Sequence, residues 1–209
     1  MAKPQPFDIE EYLLAVQSFH GYVAPGVIIG GFMVNYAKSK IPEGVLFKAI
    51  CETPACLPDA IQLLTPCTIG NSRLKIFNLG RYALSLYDRE TGDGFRVFLL
   101  PQKIDEHSEI KVWFFKLKPK PEQDTDLLLT QIKEAGERLC GIHPVRVRPE
   151  LLKKEKRGDI VICPCCHEAY PAEDGGVCRG CQGQSPYVTP ETSEGHILKL
   201  SMLKSHGVY

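Results

Sequence analysis

Apolar residues recur along this chain with two different periods, and the periods mark out its elements. In residues 8–19, DIEEYLLAVQSF, the residues Tyr12, Leu13, Val16 and Phe19 fall at helical spacing and predict an amphipathic helix. Asp8 followed by Glu11 has the form of a capping box, and Gly21 after His20 suits the left-handed residue that ends a helix. A second helix is predicted to open at Pro25. Between Val27 and Val34 it is apolar on nearly every side, so it should be central and buried. Gly30 and Gly31 in its middle cost roughly 1 kcal/mol each relative to Ala. They make sense where another backbone, from this chain or from a second copy, packs closely.

Residues 45–52, 74–80, 81–89 and 95–100 are β-rich, and the last two, joined across TGDG, read as a hairpin. In 105–118, Ile110, Val112 and Phe114 alternate, yet the acidic start favours a helix. KPKPEQ is a break, and 124–141 is predicted as a helix capped by Asp124 and stopped by Gly141. Residues 142–158 read as a charged connector. Its basic residues are interleaved with Glu150 and Glu155, which suits a solvated linker better than a phosphate-binding stretch. The predicted organisation is a core domain over 1–145, a linker over 146–158, and a small module with a tail over 159–209. The predicted class is α+β: a mixed or antiparallel sheet packed with helices, plus a zinc-ribbon or treble-clef-like module.

The chain has 209 residues with 25 basic and 25 acidic side chains, so its net charge is zero. That gives no electrostatic drive toward nucleic acid or an anionic membrane. No run of about 18 apolar residues is present, and the first residues have no apolar signal core. Nine cysteines are many and odd in number. Five of them crowd into residues 163–181, which points to a reducing, cytoplasmic setting with metal-bound and free thiols rather than disulfides.

Cys163-x-x-Cys166, eleven residues, then Cys178-x-x-Cys181 forms two tight cysteine pairs. Four soft thiolates in tetrahedral array select zinc, and a site with no open position is structural. An iron–sulfur centre is the other use of such spacing. Cys165 and His167 lie inside or beside the first pair, but Cys163 and Cys166 keep the spacing symmetrical. A second cluster surrounds the short helix in CETPACLPDAIQLLTPCTIG: Cys56 before it, Asp59 and Gln62 on one face, Cys67 after it. These cysteines read either as small buried hydrophobes or as members of a site.

FHGYVAPGVIIGGFM followed by CETPACLPDAIQLLTPCTIGNSRL resembles the family of the E subunit of formylmethanofuran dehydrogenase, the molybdenum or tungsten enzyme of methanogenic carbon dioxide fixation. The family's F-H-G-H-x-C-P-G turn has Tyr22 in place of its second histidine and Ala24 in place of its cysteine. Glu52, Cys56, Asp59, Ala60, Ile61, Gln62, Thr65, Cys67, Thr68 and Gly70 match its second motif, while its lysine and glycine are replaced around Asn71 and Ser72. The resemblance implies that His20, Cys56, Asp59 and Cys67 form a core site, as catalytic residues, a redox-capable thiol pair or ligands of a second metal. It also implies an α+β core and an intertwined homodimer, which would account for Gly30–Gly31, and it suggests other subunits of the dehydrogenase as partners. Three functions are open: a metal- or ligand-binding accessory subunit of C1 chemistry, a stand-alone thiol- or metal-dependent enzyme using His20, Cys56 and Cys67, and a zinc-ribbon module recruiting nucleic acid or protein. The metal–pterin centre of the formylmethanofuran complex belongs to other subunits, so the chain alone is expected not to oxidise formylmethanofuran.

Overall fold

The computed structural model of the protein describes residues 8–153 and 158–187. The expected tail beyond residue 187 and Glu155 of the connector lie outside them. The chain divides into two compact units between Lys153 and Lys154.

The first unit begins with α1 (Ile9–His20). Asp8 caps it, its side chain accepting from the N–H groups of Glu10 at 2.9 Å and Glu11 at 3.1 Å. Gly21, with φ +90°, ends it, as the sequence indicates. Tyr12 and Val16 are buried, whereas Phe19, expected on the same stripe, is exposed. α2 (Pro25–Lys38) is the central helix and buries Gly26 to Gly31, Met33, Val34 and Ala37. Its glycine pair is explained within the chain. A Cβ at Gly30 would stand 2.7 Å from the Ala60 Cβ, and one at Gly31 would stand 2.3 Å from the Tyr12 ring. The close neighbours are therefore α1 and α3 (Leu57–Leu64) of the same chain.

The strands β1 (Phe47–Cys51), β2 (Leu74–Ile76), β3 (Ala83–Asp88), β4 (Asp93–Leu99) and β5 (Cys140–Arg146) form one mixed sheet in the order β2-β1-β3-β4-β5. β1 and β2 are parallel and the remaining pairs antiparallel. Ala49, Cys51, Leu84, Leu86, Val97 and Leu99 join the helices in the core. The expected hairpin is β3–β4, where the Asp88 side chain accepts from Glu90 N–H at 2.6 Å and Thr91 N–H at 3.2 Å.

α4 (Glu109–Phe114) is capped by Ser108, so the acidic start of that segment outweighed its alternation. α5 (Thr125–Ala135) starts at the Asp124 cap as expected but stops at Gly136, not Gly141. Gly136 takes φ +54°, and a short 3-10 turn swings the chain so that Cys140 pairs with Leu99. The connector placed from residue 142 is corrected accordingly. β5 and α6 (Pro149–Leu152) belong to the first unit. Pro144 and the charged residues hid this strand, and they are tolerated because β5 is an edge strand.

In the second unit, β6 (Ile160–Ile162) pairs antiparallel with β7 (Ala169–Pro171). The turn between them carries the first cysteine pair. Tyr170 O–H donates to Gly175 O at 2.7 Å and tethers the return loop. Among the described residues, no helix is long and apolar enough to cross a membrane.

Candidate functional site

Two sets of chemically capable side chains stand in the two units. In the second unit, the Sγ atoms of Cys163, Cys166, Cys178 and Cys181 all lie within 4.8 Å of one another. The Cys166 and Cys178 sulfurs are 3.6 Å apart. Zinc bound tetrahedrally at about 2.3 Å per thiolate places sulfurs about 3.8 Å apart, so the donor set and its spacing fit zinc. Backbone geometry prepares the knuckle. His167 N–H donates to Cys163 O at 2.9 Å, with His167 in a left-handed conformation. The N–H groups of Cys166 and Cys178 pull the Cys163 thiol down to about 6, which favours the thiolate a metal requires. Cys165, the surplus thiol, is exposed and outside the converging four. Such a closed thiolate set is structural: the ion fixes a module too small to fill a core.

In the first unit, the end of α1 and the starts of α2 and α3 meet around His20, Cys56 and Asp59. His20 Nδ1 and Asp59 Oδ2 lie 2.6 Å apart with both side chains partly buried. A carboxylate accepts, so Nδ1–H donates and the pairing leaves Nε2 as the nitrogen for a ligand, a metal or a proton. The Tyr22 ring centroid is 5.0 Å from that of His20, so the residue replacing the family's second histidine flanks the first. Ala24, replacing its cysteine, is buried at the N-terminus of α2 and offers no ligand atom.

Cys56 immediately precedes α3 with φ +55° and ψ −53°, and Leu57 N–H donates to Ala55 O at 2.5 Å. This is a γ-turn with positive φ at its central residue, a rare and strained conformation of the kind that collects at functional sites. The thiol is laid against the backbone of Gly26, where a Cβ would stand only 2.9 Å from the Cys56 Cβ and 3.0 Å from its sulfur. Tyr82 O–H donates to Gly26 O and shares this corner. Burial first, then the Asp59 charge, pushes the Cys56 thiol up, while Lys120 pulls it the other way. That direction opposes activation of a nucleophile.

Cys67 is not part of this corner. It lies beyond the other end of α3, an eight-residue helix about 12 Å long. It is fully buried, with its thiol directed at Phe47 O at 3.6 Å and burial raising its pKa. The motif residues around it are stitched into a turn. Thr65 Oγ1 accepts from Cys67 N–H, Gln62 Oε1 from Ile69 N–H, and Asn71 Oδ1 from Thr68 and Arg73 N–H. Among the described residues, the four-cysteine set of the second unit is the one group of three or more candidate metal ligands that converges.

The sequence reading gave no role to the arginines that hold Glu52. This buried carboxylate takes a bidentate pair from Arg96, at 2.6 and 2.8 Å, and a third contact from Arg81 at 2.6 Å. Burial opposes its ionisation, but the hydrogen bonds and charges of Arg96 and Arg81 outweigh that and hold it below the usual carboxylate range. Glu52 also ties down the backbone, its N–H donating to Ala83 O and its carbonyl accepting from Leu79. It thereby anchors the chain just before the turn that delivers Cys56. Only the register of β1 on β3, and of β3 on β4, brings these three residues together, so spacing along the chain carried no signal for it.

The family described as "FmdE, Molybdenum formylmethanofuran dehydrogenase operon" matches residues 19–147, and "FmdE treble clef zinc finger" matches residues 154–188. A protein from Syntrophus aciditrophicus, described as like the E subunit (FmdE) of a tungsten formylmethanofuran dehydrogenase, is 49% identical with a TM-score of 0.81, over 90% of this chain and 100% of that one. A protein of Archaeoglobus fulgidus described as a probable S-adenosyl-L-methionine-binding protein is 32% identical over 116 residues, 51% of this chain. The chain spans 31% of that relative's length. A core motif, a four-thiolate knuckle and a structural match over 90% of the chain therefore agree: the chain belongs to the FmdE family and carries that family's treble-clef zinc finger.

Proposed function

We propose that this protein is a zinc-stabilised, ligand-binding accessory subunit of C1 metabolism, with His20, Asp59 and Cys56 as its ligand-binding centre. The observation that carries the reading is the 2.6 Å His20–Asp59 pair beside a thiol held in a strained turn where three helix ends meet. Strain and an oriented imidazole suit a preformed site, and the raised thiol argues against a stand-alone thiol enzyme. Kinship to an FmdE-like protein supports a role beside an oxidoreductase rather than as one. In this reading the protein works in the reducing cytoplasm, where its nine cysteines stay free or metal-bound, as a homodimer or with other subunits of the dehydrogenase.

The Archaeoglobus relative's description adds S-adenosyl-L-methionine to formylmethanofuran as a ligand to try. Calorimetric titration of both tests the reading. One of them should bind, and His20→Ala should weaken it about tenfold, on the order of 1.4 kcal/mol. Binding that ignores His20→Ala, or turnover of formylmethanofuran by the isolated chain, overturns it.

A further inference from the structure

We propose that the turn between α4 and α5 is a pocket for a small ligand that joins two or more anionic groups, carboxylate or phosphate, to a flat or apolar part. A cavity of about 570 Å³ opens there, lined by Trp113, Leu117 and Pro119 and by Lys116, Lys118 and Lys120. Its size is that of a typical small-molecule site. No carboxylate lines it. Among the described residues, none of the three lysines has an ion-pair partner, whereas Lys111 is paired with Glu106 and Arg146 with Asp93. Three like charges within five residues repel one another, and an anion of matching charge relieves that repulsion.

The turn is preformed. Lys116 takes φ +55°, unusual outside glycine, and Leu117 N–H donates to Val112 O at 2.9 Å. Gln123 Nε2–H donates to Lys118 O at 2.8 Å and closes it. The Trp113 indole and the Leu117 side chain supply the apolar wall, and Trp113 packs at 6.0 Å on Phe114, whose ring in turn meets Tyr82 of the Cys56 corner. The Lys120 charge also acts on the Cys56 thiol, pulling it down against the effect of burial. The chain's zero net charge favours a compact anion over a long polyanion such as nucleic acid.

The anion pocket is tested independently of the function proposed above. Trp113 is the single tryptophan, so its fluorescence reports this cavity. The intact protein is titrated with trimesate, a flat tricarboxylate, and with inorganic triphosphate, at low and high salt. The pocket predicts a saturable change, weakened by salt and about tenfold weaker in Lys116→Gln/Lys118→Gln/Lys120→Gln, whose exposed side chains leave folding intact. Tighter trimesate assigns the carboxylate class and tighter triphosphate the phosphate class. A His20→Ala protein that keeps the Trp113 titration but loses the metabolite of the previous test shows the two sites to be separable. No saturable change with either anion, or an unchanged titration in the triple variant, overturns the proposal.

Discussion

A single methyl group added at Gly30 should force α2 and α3 apart. The Cβ of Gly30→Ala would stand 2.7 Å from the Ala60 Cβ and 3.0 Å from Leu57 Cδ1. Carbon atoms in favourable contact sit about 3.5–4.0 Å apart, so the helices must separate by about 1 Å. Leu57 can turn aside, but the Ala60 Cβ is fixed to its backbone. Overpacking of this kind costs about 1–3 kcal/mol. Replacing a mid-helix glycine returns about 1 kcal/mol. The net loss should be about 0–2 kcal/mol, and a chain of this size loses about 2–4 °C in Tm per kcal/mol. Ala60→Gly alone costs about 1 kcal/mol through helix propensity. Combined with Gly30→Ala, however, it restores the missing space, so urea denaturation should reveal a coupling of about 1–3 kcal/mol between the sites, the overpacking cost relieved. The effect should also be independent of protein concentration, because both neighbours belong to the same chain. Additive effects in the double variant, or an effect that scales with dilution, would each refute this packing.

Alkaline pH should unfold the protein earlier than a chain without buried thiols. Burial pushes Cys51 up to about 11 and Cys140 to about 12. Folded values above the unfolded one mean that this stabilisation is complete below about pH 9 and is lost between about 9 and 12, with each tenfold change in thiol acidity worth about 1.4 kcal/mol. The urea midpoint should fall from pH 8 toward pH 11 and flatten in Cys51→Ala/Cys140→Ala; a midpoint that holds in the wild type contradicts the burial. Glu52→Gln should cost about 2–3 kcal/mol, because it strands the Arg96 guanidinium against the sheet, and it should loosen the turn that presents Cys56. Wild-type stability in that variant would show that the Glu52 pairs contribute nothing net.

Much of the fold is visible in local chemistry. Asp8 and Asp124 announce two helix starts because a short polar side chain before an apolar run has one good use, the orphan N–H groups of a first turn. The four-cysteine knuckle is equally local, its geometry carried in its spacing. β5 is hidden because Pro144 and its exposed charges look like linker, and only an edge position in the sheet makes them acceptable. The core motif misled in a different way. Cys56 and Cys67 lie near one another in sequence, yet α3 holds them at its two ends, one in a strained turn and the other in the packed interior. Pairing of His20 with Asp59 crosses 39 positions and depends on how α1 lies on α3, which the family resemblance suggested and periodicity alone did not.

The account turns most directly on the metal held by Cys163, Cys166, Cys178 and Cys181. Elemental analysis of the intact protein and of Cys163→Ser/Cys166→Ser measures it. The prediction is about one zinc per chain in the first and none in the second, with the second unit losing protection from proteolysis while the first keeps its core. A full zinc complement in the variant, or none in the intact protein, would contradict it.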